Sequence, residues 1–345
     1  MLNALPKETA KRVQFGKTLV GMKDASEGGI ICQFDDGSEE GPFDLVVGSD
    51  GINSAVKECI NTGKITNGGT KDASIYSGIR IQYAIQDGDY QSDNLNDSEL
   101  VQYFGDAAYS LAGTYGAGEG KKATKAAYLI FKDPDWNGPF RKKGAASAKK
   151  KEENIEWVQD EEKTGDLMCD RIRDCGVPDF EVVPIIEDSD RSFELGVYFH
   201  NPFSLRGWSR ELKGSGNRYM VLAGDAAHAM PPFLGQGANQ AIQDAYCLAT
   251  KIFEHNANTL GATSSAQIDN EEGQTTPKSL GALLKEYENK RWFPTASITF
   301  KSIFLGYLET GEEGFLSKFR DAFFFTAGKV GIARKVFLDS ATPNV

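Results

Sequence analysis

The sequence predicts a mixed α/β (α+β) fold, in which α/β segments flank an antiparallel sheet and helices close the chain. Three patterns carry this reading. Two short apolar runs, Asp44-Leu-Val-Val-Gly48 and Arg218-Tyr-Met-Val-Leu-Ala223, each end in an Asp/Gly turn followed by helical sequence, as strand–turn–helix units do. Residues 74–131 hold β-rich runs in succession with no helix between them, which fits an antiparallel sheet. Apolar residues return at helical spacing from about Leu280 onward.

In chain order, Thr18–Met22 and Gly29–Phe34 read as strands, with Asp35-Asp-Gly37 as turn chemistry. The run at 44–48 leads into Ser49-Asp50-Gly51-Ile-Asn-Ser54-Ala-Val-Lys57. Strands follow at 74–83, 100–104, 109–113 and 126–131, and residues 182–200 are expected to join their sheet. Residues 141–153, RKKGAASAKKKEE, read as a solvated loop rather than a phosphate-binding patch. A helix is expected from Asn154 to Cys175, stopped by Gly176-Val-Pro178. After the strand at 218–223, Ala241, Ile242, Ala245, Leu248, Ala249 and Ile252 fall on one helical face. Residues 256–278, rich in Asn, Thr, Ser and Gly, read as a flexible loop. The last helical region is expected to break near Pro294 and at glycines.

Composition narrows the function classes. The chain has 345 residues, room for about two domains. Forty per cent apolar and 25% charged residues exclude chain-wide disorder. The 49 acidic against 38 basic side chains give net −11, which disfavours nucleic-acid binding because phosphate backbones are repelled. No apolar run reaches the roughly 18 residues of a spanning helix. The first residues, MLNALPKETAKR, lack the apolar core of a secretory signal. Five cysteines, an odd count without C-x-x-C, read as reduced thiols in a reducing compartment. Three scattered histidines make a metal site unexpected.

The chemistry concentrates in Val221-Leu-Ala-Gly-Asp225-Ala-Ala-His-Ala-Met-Pro-Pro-Phe-Leu-Gly-Gln-Gly-Ala-Asn239. A strand delivers one carboxylate at its C-terminal end, where open α/β sheets place ligands. A Pro-Pro turn stiffens the chain, and Gly235-Gln-Gly237 permits close backbone approach before a helix begins. Helical N–H groups there would face an anionic or electron-rich group. Alternatively, Ser49-Asp50-Gly51 is a plain strand-to-helix turn capped by Asn53 or Ser54, and Asp225 caps a turn. His228 reads as structural rather than as a catalytic base. Ser54 lacks the G-x-S-x-G context of a hydrolase nucleophile. Arg206 and Trp208 either line a pocket or pack.

The run GDAAHAMPPFLGQGANQAIQDAYCLA resembles the second flavin motif of the FAD-dependent aromatic-ring hydroxylases and monooxygenases, the para-hydroxybenzoate hydroxylase family, which is also similar to xanthophyll epoxidases. DLVVGSDGINSAVK is similar to the family's D-G-x-x-S-x-x-R motif, and Tyr287-Glu-Asn-Lys-Arg291 to its Y-E-x-x-R. The likeness covers roughly residues 10–300. It implies a three-layer β/β/α FAD/NAD(P)-binding domain over 1–73 and 201–300, interrupted by a substrate-binding sheet domain over 74–200, with a C-terminal helical segment over 301–345. Asp225, following Gly224, would bind the ribityl chain of FAD. The backbone from Leu234 through Gly235, Gln236 and Gly237 to Ala238 and Asn239 would face the flavin pyrimidine. Pro231 and Pro232 would border the site where oxygen reacts. Asp50, Gly51, Ser54 and Lys57 would lie near the pyrophosphate; Lys57 stands where the family has arginine, keeping the charge without the planar fork.

The activity so implied is hydroxylation or epoxidation of an electron-rich small molecule, a phenol, quinone precursor or polyene, with NADPH or NADH and O2. Tyr76, Arg80, Tyr103 and Tyr198 are the expected pocket walls. The compartment would be the cytoplasm or the stromal side of a plastid. Aromatic and basic residues mix over 315–335, so that segment either lies on an anionic membrane surface or packs on the flavin domain. The family's G-x-G-x-x-G unit, which holds the ADP half of FAD, has no counterpart here: Gly116-Ala-Gly118-Glu-Gly120 has the wrong spacing. The alternatives are an inactive flavoprotein fragment serving as an interaction module, or a flavoprotein that reduces double bonds.

Overall fold

The computed structural model describes residues 4–65, 74–91, 100–115, 122–135, 161–180, 182–204, 206–214, 216–264, 278–312 and 314–331, with Lys335, Leu338 and Thr342. The fold is mixed α/β, with antiparallel sheets and C-terminal helices. After a short helix α1 (Lys7–Ala10), β1 (Leu19–Asp24), β2 (Ile30–Phe34) and β3 (Glu39–Phe43) form an antiparallel meander. The tight turn at Gly28-Gly29, both with positive φ, joins the first two strands. β4 (Leu45–Gly48) feeds helix α2 (Ala55–Thr62), which ends at left-handed Gly63.

A five-stranded antiparallel sheet follows. Its strands are β5 (Ser74–Gln91), β6 (Leu100–Phe104), β7 (Ala108–Tyr115), β8 (Lys122–Lys132) and β9 (Arg191–His200), in the order β6-β7-β8-β5-β9. Helices α3 (Glu161–Asp174) and α4 (Val183–Glu187) cover one face; their core includes Ala84, Leu129, Met168, Ile172 and Val182. The opposite face carries Ile79, Ile81, Tyr109, Ile130 and Val197. These two sets alternate along each strand, as the two-residue period of a strand requires. The expected strand at 182–200 is therefore split: Pro184 at the start of the short helix α4 precedes β9. The stretches 141–153 and 154–160 lie outside the described residues.

The chain then returns through β10 (Ser209–Glu211) and β11 (Tyr219–Leu222), the latter parallel to β4 with Tyr219 opposite Leu45 and Leu222 opposite Gly48. α5 (Asp225–His228), a 3-10 turn at Pro232–Leu234, and the long helices α6 (Gly237–Ser264), α7 (Leu280–Glu309) and α8 (Phe315–Lys329) complete the molecule. Val56, Cys59, Met220, Leu222, Cys247, Leu248, Leu284 and Tyr287 pack α2, α6 and α7 against the β4–β11 pair.

Three expectations about helices change. α6 extends to Ser264, into the stretch read as loop; residues 265–277 lie outside the described set. α7 continues through Pro294 to Glu309. Proline removes one backbone N–H there, and the Thr295 hydroxyl donates to the Arg291 and Trp292 carbonyls of the same turn (2.9 and 3.0 Å). The buried face of α6 is only partly the expected one: Leu248 is buried and Ile252 packs on the core, but Gln240, Gln243 and Asp244 are buried too, whereas Ile242 is 69% exposed. All five cysteines are free thiols. Among the described residues no helix is long and apolar enough to cross a membrane, and no group of acidic, His and Cys side chains could hold a metal ion.

Candidate functional site

The site is assembled where β4 and β11 end side by side. β11 runs to Gly224, whose φ of 59° and ψ of −143° suit glycine and turn the chain sharply into α5. α6 packs closely on this turn: a Cβ on Gly224 would meet the Ala241 Cβ at 3.2 Å. Asp225 opens α5 with an exposed side chain, and a Cβ on Gly237 would stand 4.0 Å from its Oδ1. The carboxylate thus borders the first residue of α6, where helical N–H groups lack intrahelical acceptors.

Between them runs Pro231-Pro232-Phe-Leu-Gly235. Ser302 of α7 donates to the Pro231 carbonyl (2.7 Å), and Gly235, left-handed at φ 62°, closes the 3-10 turn by donating to the Pro232 carbonyl (2.8 Å). Gly306 lies directly beneath Phe233, and a Cβ there would run into the ring. Gln236 is buried and accepts from Asn239 Nδ2 (2.9 Å), which ties the Gly235–Gly237 turn to the first turn of the helix. Leu234 is buried, and Gly237, Ala238 and Asn239 form the first turn of α6.

A buried polar cluster underlies this turn. Asp244 Oδ2 accepts from the Gly224 N–H (2.8 Å) and contacts His228 Nε2 (2.5 Å), while Oδ1 accepts from Arg291 Nε (2.7 Å). The remaining Arg291 nitrogens donate to the Gln243 and Gln240 side chains (2.9 and 2.7 Å), and Tyr287 donates to the Leu222 carbonyl (2.9 Å). Burial alone would raise the Asp244 carboxyl, but its bonds to His228, Arg291 and Gly224 outweigh that and hold it below the usual carboxylate range. His228 is held in this cluster by its contact with Asp244. Asp244 was not singled out from sequence, although Tyr287 and Arg291 lie in the quoted Y-E-x-x-R run.

The first motif is organised differently. Asp50 Oδ2 accepts from the Ala55 and Val56 N–H groups (2.7 and 3.3 Å), and Ser54 Oγ from Lys57 N (2.9 Å), so both side chains cap α2. Gly51 supplies the positive φ (80°) of the intervening turn. Lys57 turns its Nζ to His200 Nδ1 (2.7 Å). His200 Nε2 faces the Ile52 carbonyl at 3.1 Å, which assigns the proton to Nε2 and leaves Nδ1 to accept from Lys57 and, at 3.3 Å, from Ala229 N. His200, at the end of β9, thereby ties the Asp50 loop to the end of α5. Its place in the sequence gave no signal of this. The pair borders a small cavity of about 170 Å³ whose lining includes Arg206, Trp208 and His228.

Burial pulls the Lys57 ammonium from its ordinary 10.5 down to about 7 and, with the Lys57 charge, pulls His200 from 6.5 to about 4. Between pH 7 and 10.5 the unfolded chain holds a Lys57 proton that the folded chain has released, so stability rises with pH across that window. His200 acts in the same direction between pH 4 and 6.5. Lys57→Met is expected to raise stability most near and below pH 7 and to flatten the alkaline rise. Urea unfolding at a neutral and an alkaline pH checks this; a variant with the wild-type pH slope overturns it.

A second cavity, of about 650 Å³, lies between the five-stranded sheet and α7 and α8. Tyr83, Tyr109, Tyr128, Phe300 and Phe304 line it, and Pro232, Phe233 and Leu234 form part of its wall. The four residues expected as pocket walls do not border it. Arg80 is paired with Asp133 (2.6 Å) and Glu194, Tyr76 donates to the Asp133 carbonyl (2.7 Å) and packs at a tilt on Tyr198 with ring centroids 5.2 Å apart, and Tyr103 packs on the α3–α4 core. Strand alternation explains this placement: Ile81 and Tyr83 face the cavity, so Arg80 and Gln82 face away. α8 packs Phe323, Phe324 and Ala327 on the cavity, while Phe315, Phe319 and Phe325 point outward.

A strand-borne carboxylate beside a Gly-x-Gly helix start, at the C-terminal ends of parallel strands, is the kind of place where α/β folds hold nucleotide cofactors. The family model of the FAD binding domain matches residues 215–269. The chain is 26% identical over 310 residues to the chloroplastic zeaxanthin epoxidase of Prunus armeniaca, covering 87% of this chain and 38% of that protein. It is 28% identical over 244 residues to an FAD-dependent monooxygenase of Cryptosporiopsis sp. (strain 8999), covering 69% and 41%. It therefore spans about two-fifths of the length of these two relatives. An HpxO variant of Klebsiella pneumoniae complexed with FAD shares the fold, with a TM-score of 0.63 at 18% identity over 97% of this chain and 69% of that one. Residues 215–269 thus match an FAD binding domain, and the chain as a whole is similar to FAD-dependent hydroxylases and monooxygenases.

Proposed function

We propose that this chain binds FAD and catalyses NAD(P)H- and O2-dependent hydroxylation or epoxidation of an electron-rich, largely apolar small molecule. The observation that carries the reading is the Pro232-Phe-Leu234 turn, which borders the apolar cavity on one side and continues through Gly235 to Asp225's neighbour Gly237 on the other. The residues present fit the cofactor: Asp225 offers acceptors for hydroxyls, and the start of α6 offers N–H groups for an electron-rich ring edge. FAD, when bound, supplies the redox chemistry and the activation of oxygen.

The remaining work falls to the chain's own side chains. Asp225 binds, the first turn of α6 stabilises negative charge, and the buried Asp244–Arg291 cluster fixes the Gly224 turn that carries Asp225. The aromatic walls of the larger cavity orient the substrate and exclude water. An acid–base pair at the Gly235 turn is not required by this reading. The test is the visible spectrum of the purified chain after incubation with FAD and gel filtration, followed by oxygen uptake with NADH or NADPH. Retained flavin bands near one equivalent, with reductant-dependent uptake, are expected. A colourless chain overturns the cofactor reading, and flavin retention without oxygen uptake overturns the monooxygenase reading.

A further inference from the structure

The larger cavity is lined mainly by apolar and aromatic side chains, with Lys301, Gln102 and Glu309 among the polar ones. At one end α7 terminates in Glu309, only 5% exposed. Its Oε1 accepts from Gln102 Nε2 of β6 (3.1 Å), the Tyr109 hydroxyl of β7 lies beside the carboxyl, and Oε2 has no hydrogen-bond partner. A carboxylate at a helix C-terminus opposes the helix dipole. The cavity's lysine, Lys301, sits eight positions back on the same helix, about 12 Å along its axis. Arg320 of α8 is engaged with the Gly105 carbonyl and Asp321. Burial pushes the Glu309 carboxyl up to about 7, against the hydrogen bonds from Gln102 and Tyr109. The neighbouring phenols Tyr83, Tyr109 and Tyr128 are pushed upward by burial as well and stay neutral.

A buried acid with one oxygen unused, in an apolar chamber of about 650 Å³, is a recognition element waiting for a donor. We infer that Glu309 determines specificity in this chamber: it takes a mostly apolar ring compound bearing a hydroxyl group, which donates to Glu309 Oε2 while the apolar body lies among the Tyr and Phe side chains toward Phe233. The inference rests on reading the chamber as the substrate site. It adds the residue in this chamber that selects for the hydroxyl. Discrimination of this kind is strong, because the analogue without the hydroxyl leaves the buried acceptor unpaired.

Equilibrium dialysis of the full chain against 2-naphthol and 2-methylnaphthalene, two probes of one shape, tests this without flavin turnover. At slightly alkaline pH 2-naphthol is expected to bind about tenfold tighter. Glu309→Leu is expected to hold the two probes equally and keep its affinity for 2-methylnaphthalene. The wild-type preference should shrink as the pH falls through 7, whereas Glu309→Gln, which keeps an acceptor without titrating, should show the same preference on both sides. The Gln variant also decides the matter if the Leu variant does not fold. A preference that survives Glu309→Leu, or one that titrates unchanged in Glu309→Gln, overturns the role of Glu309 while leaving the chamber intact. If neither probe binds, the chamber reading fails together with the inference, whatever the FAD spectrum shows.

Discussion

Arg291→Met is expected to destabilise the folded chain by about 3–5 kcal/mol, the usual cost of removing one partner from a buried ion pair. Arg291 and Asp244 are both completely buried, and each Arg291 nitrogen donates to α6. Methionine fills the volume but leaves an ionised carboxylate facing only His228 and the Gly224 N–H. In melting temperature this is a fall of roughly 10 °C for a chain of this size. Arg291→Lys should lie between the two, since a lysine keeps the charge but cannot serve Asp244, Gln243 and Gln240 at once. Adding Asp244→Leu to Arg291→Met should recover part of the loss, because the unpaired charge is then gone. Thermal unfolding followed by circular dichroism reads all three variants. A single variant melting within a degree or two of wild type would show that the cluster does not hold the Gly224 turn.

That cluster also explains where the sequence misleads. On α6 the apolar residues Ile242, Ala245 and Ala249 mark a face that the fold leaves exposed, while Gln240, Gln243 and Asp244 go inside. Hydrophobic periodicity assumes that buried means apolar, and here the buried partner is a guanidinium on another helix. A charge pair between α6 and α7 has no local signature in either helix. The strands were more legible. β2, β4, β6 and β11 coincide with their apolar runs to within about two residues, because a strand's pattern is set by its own neighbours. The face of a strand was not legible. Arg80 and Tyr83 are three apart in β5 and lie on opposite sides of the sheet, so choosing the polar and aromatic residues by type alone selected the side packed under α3.

The candidate site divides in the same way. The turns at Gly224 and Gly235 could be read because a positive φ and a strand end are local properties of one continuous run. His200 and Glu309 could not, since each acts across the fold: one bridges Ile52 and Ala229, the other reaches Gln102 from the far end of α7. Lys57 shows a third case. Its position in the motif is legible, but its ammonium is spent on His200 rather than directed outward.

Asp225→Ala is expected to weaken FAD binding roughly 10- to 100-fold, the loss of about 1.5–3 kcal/mol that follows from deleting a charged hydrogen-bond acceptor. Its effect on folding should be small, within about 0.5 kcal/mol, because the side chain is exposed and, among the described residues, none donates to its carboxylate. This is the reverse of Arg291→Met, where stability falls first and binding is lost only as a consequence. Asp225→Asn keeps the shape and one acceptor but adds a donor beside the N–H groups at the start of α6, so it should fall between alanine and wild type. Titration of each variant with FAD, read by flavin absorbance, and the melting curve of each apoprotein separate the two effects. An alanine variant that takes up FAD as wild type does would remove Asp225 from the cofactor site, and the carboxylate beside Gly237 would then be an ordinary solvated turn residue.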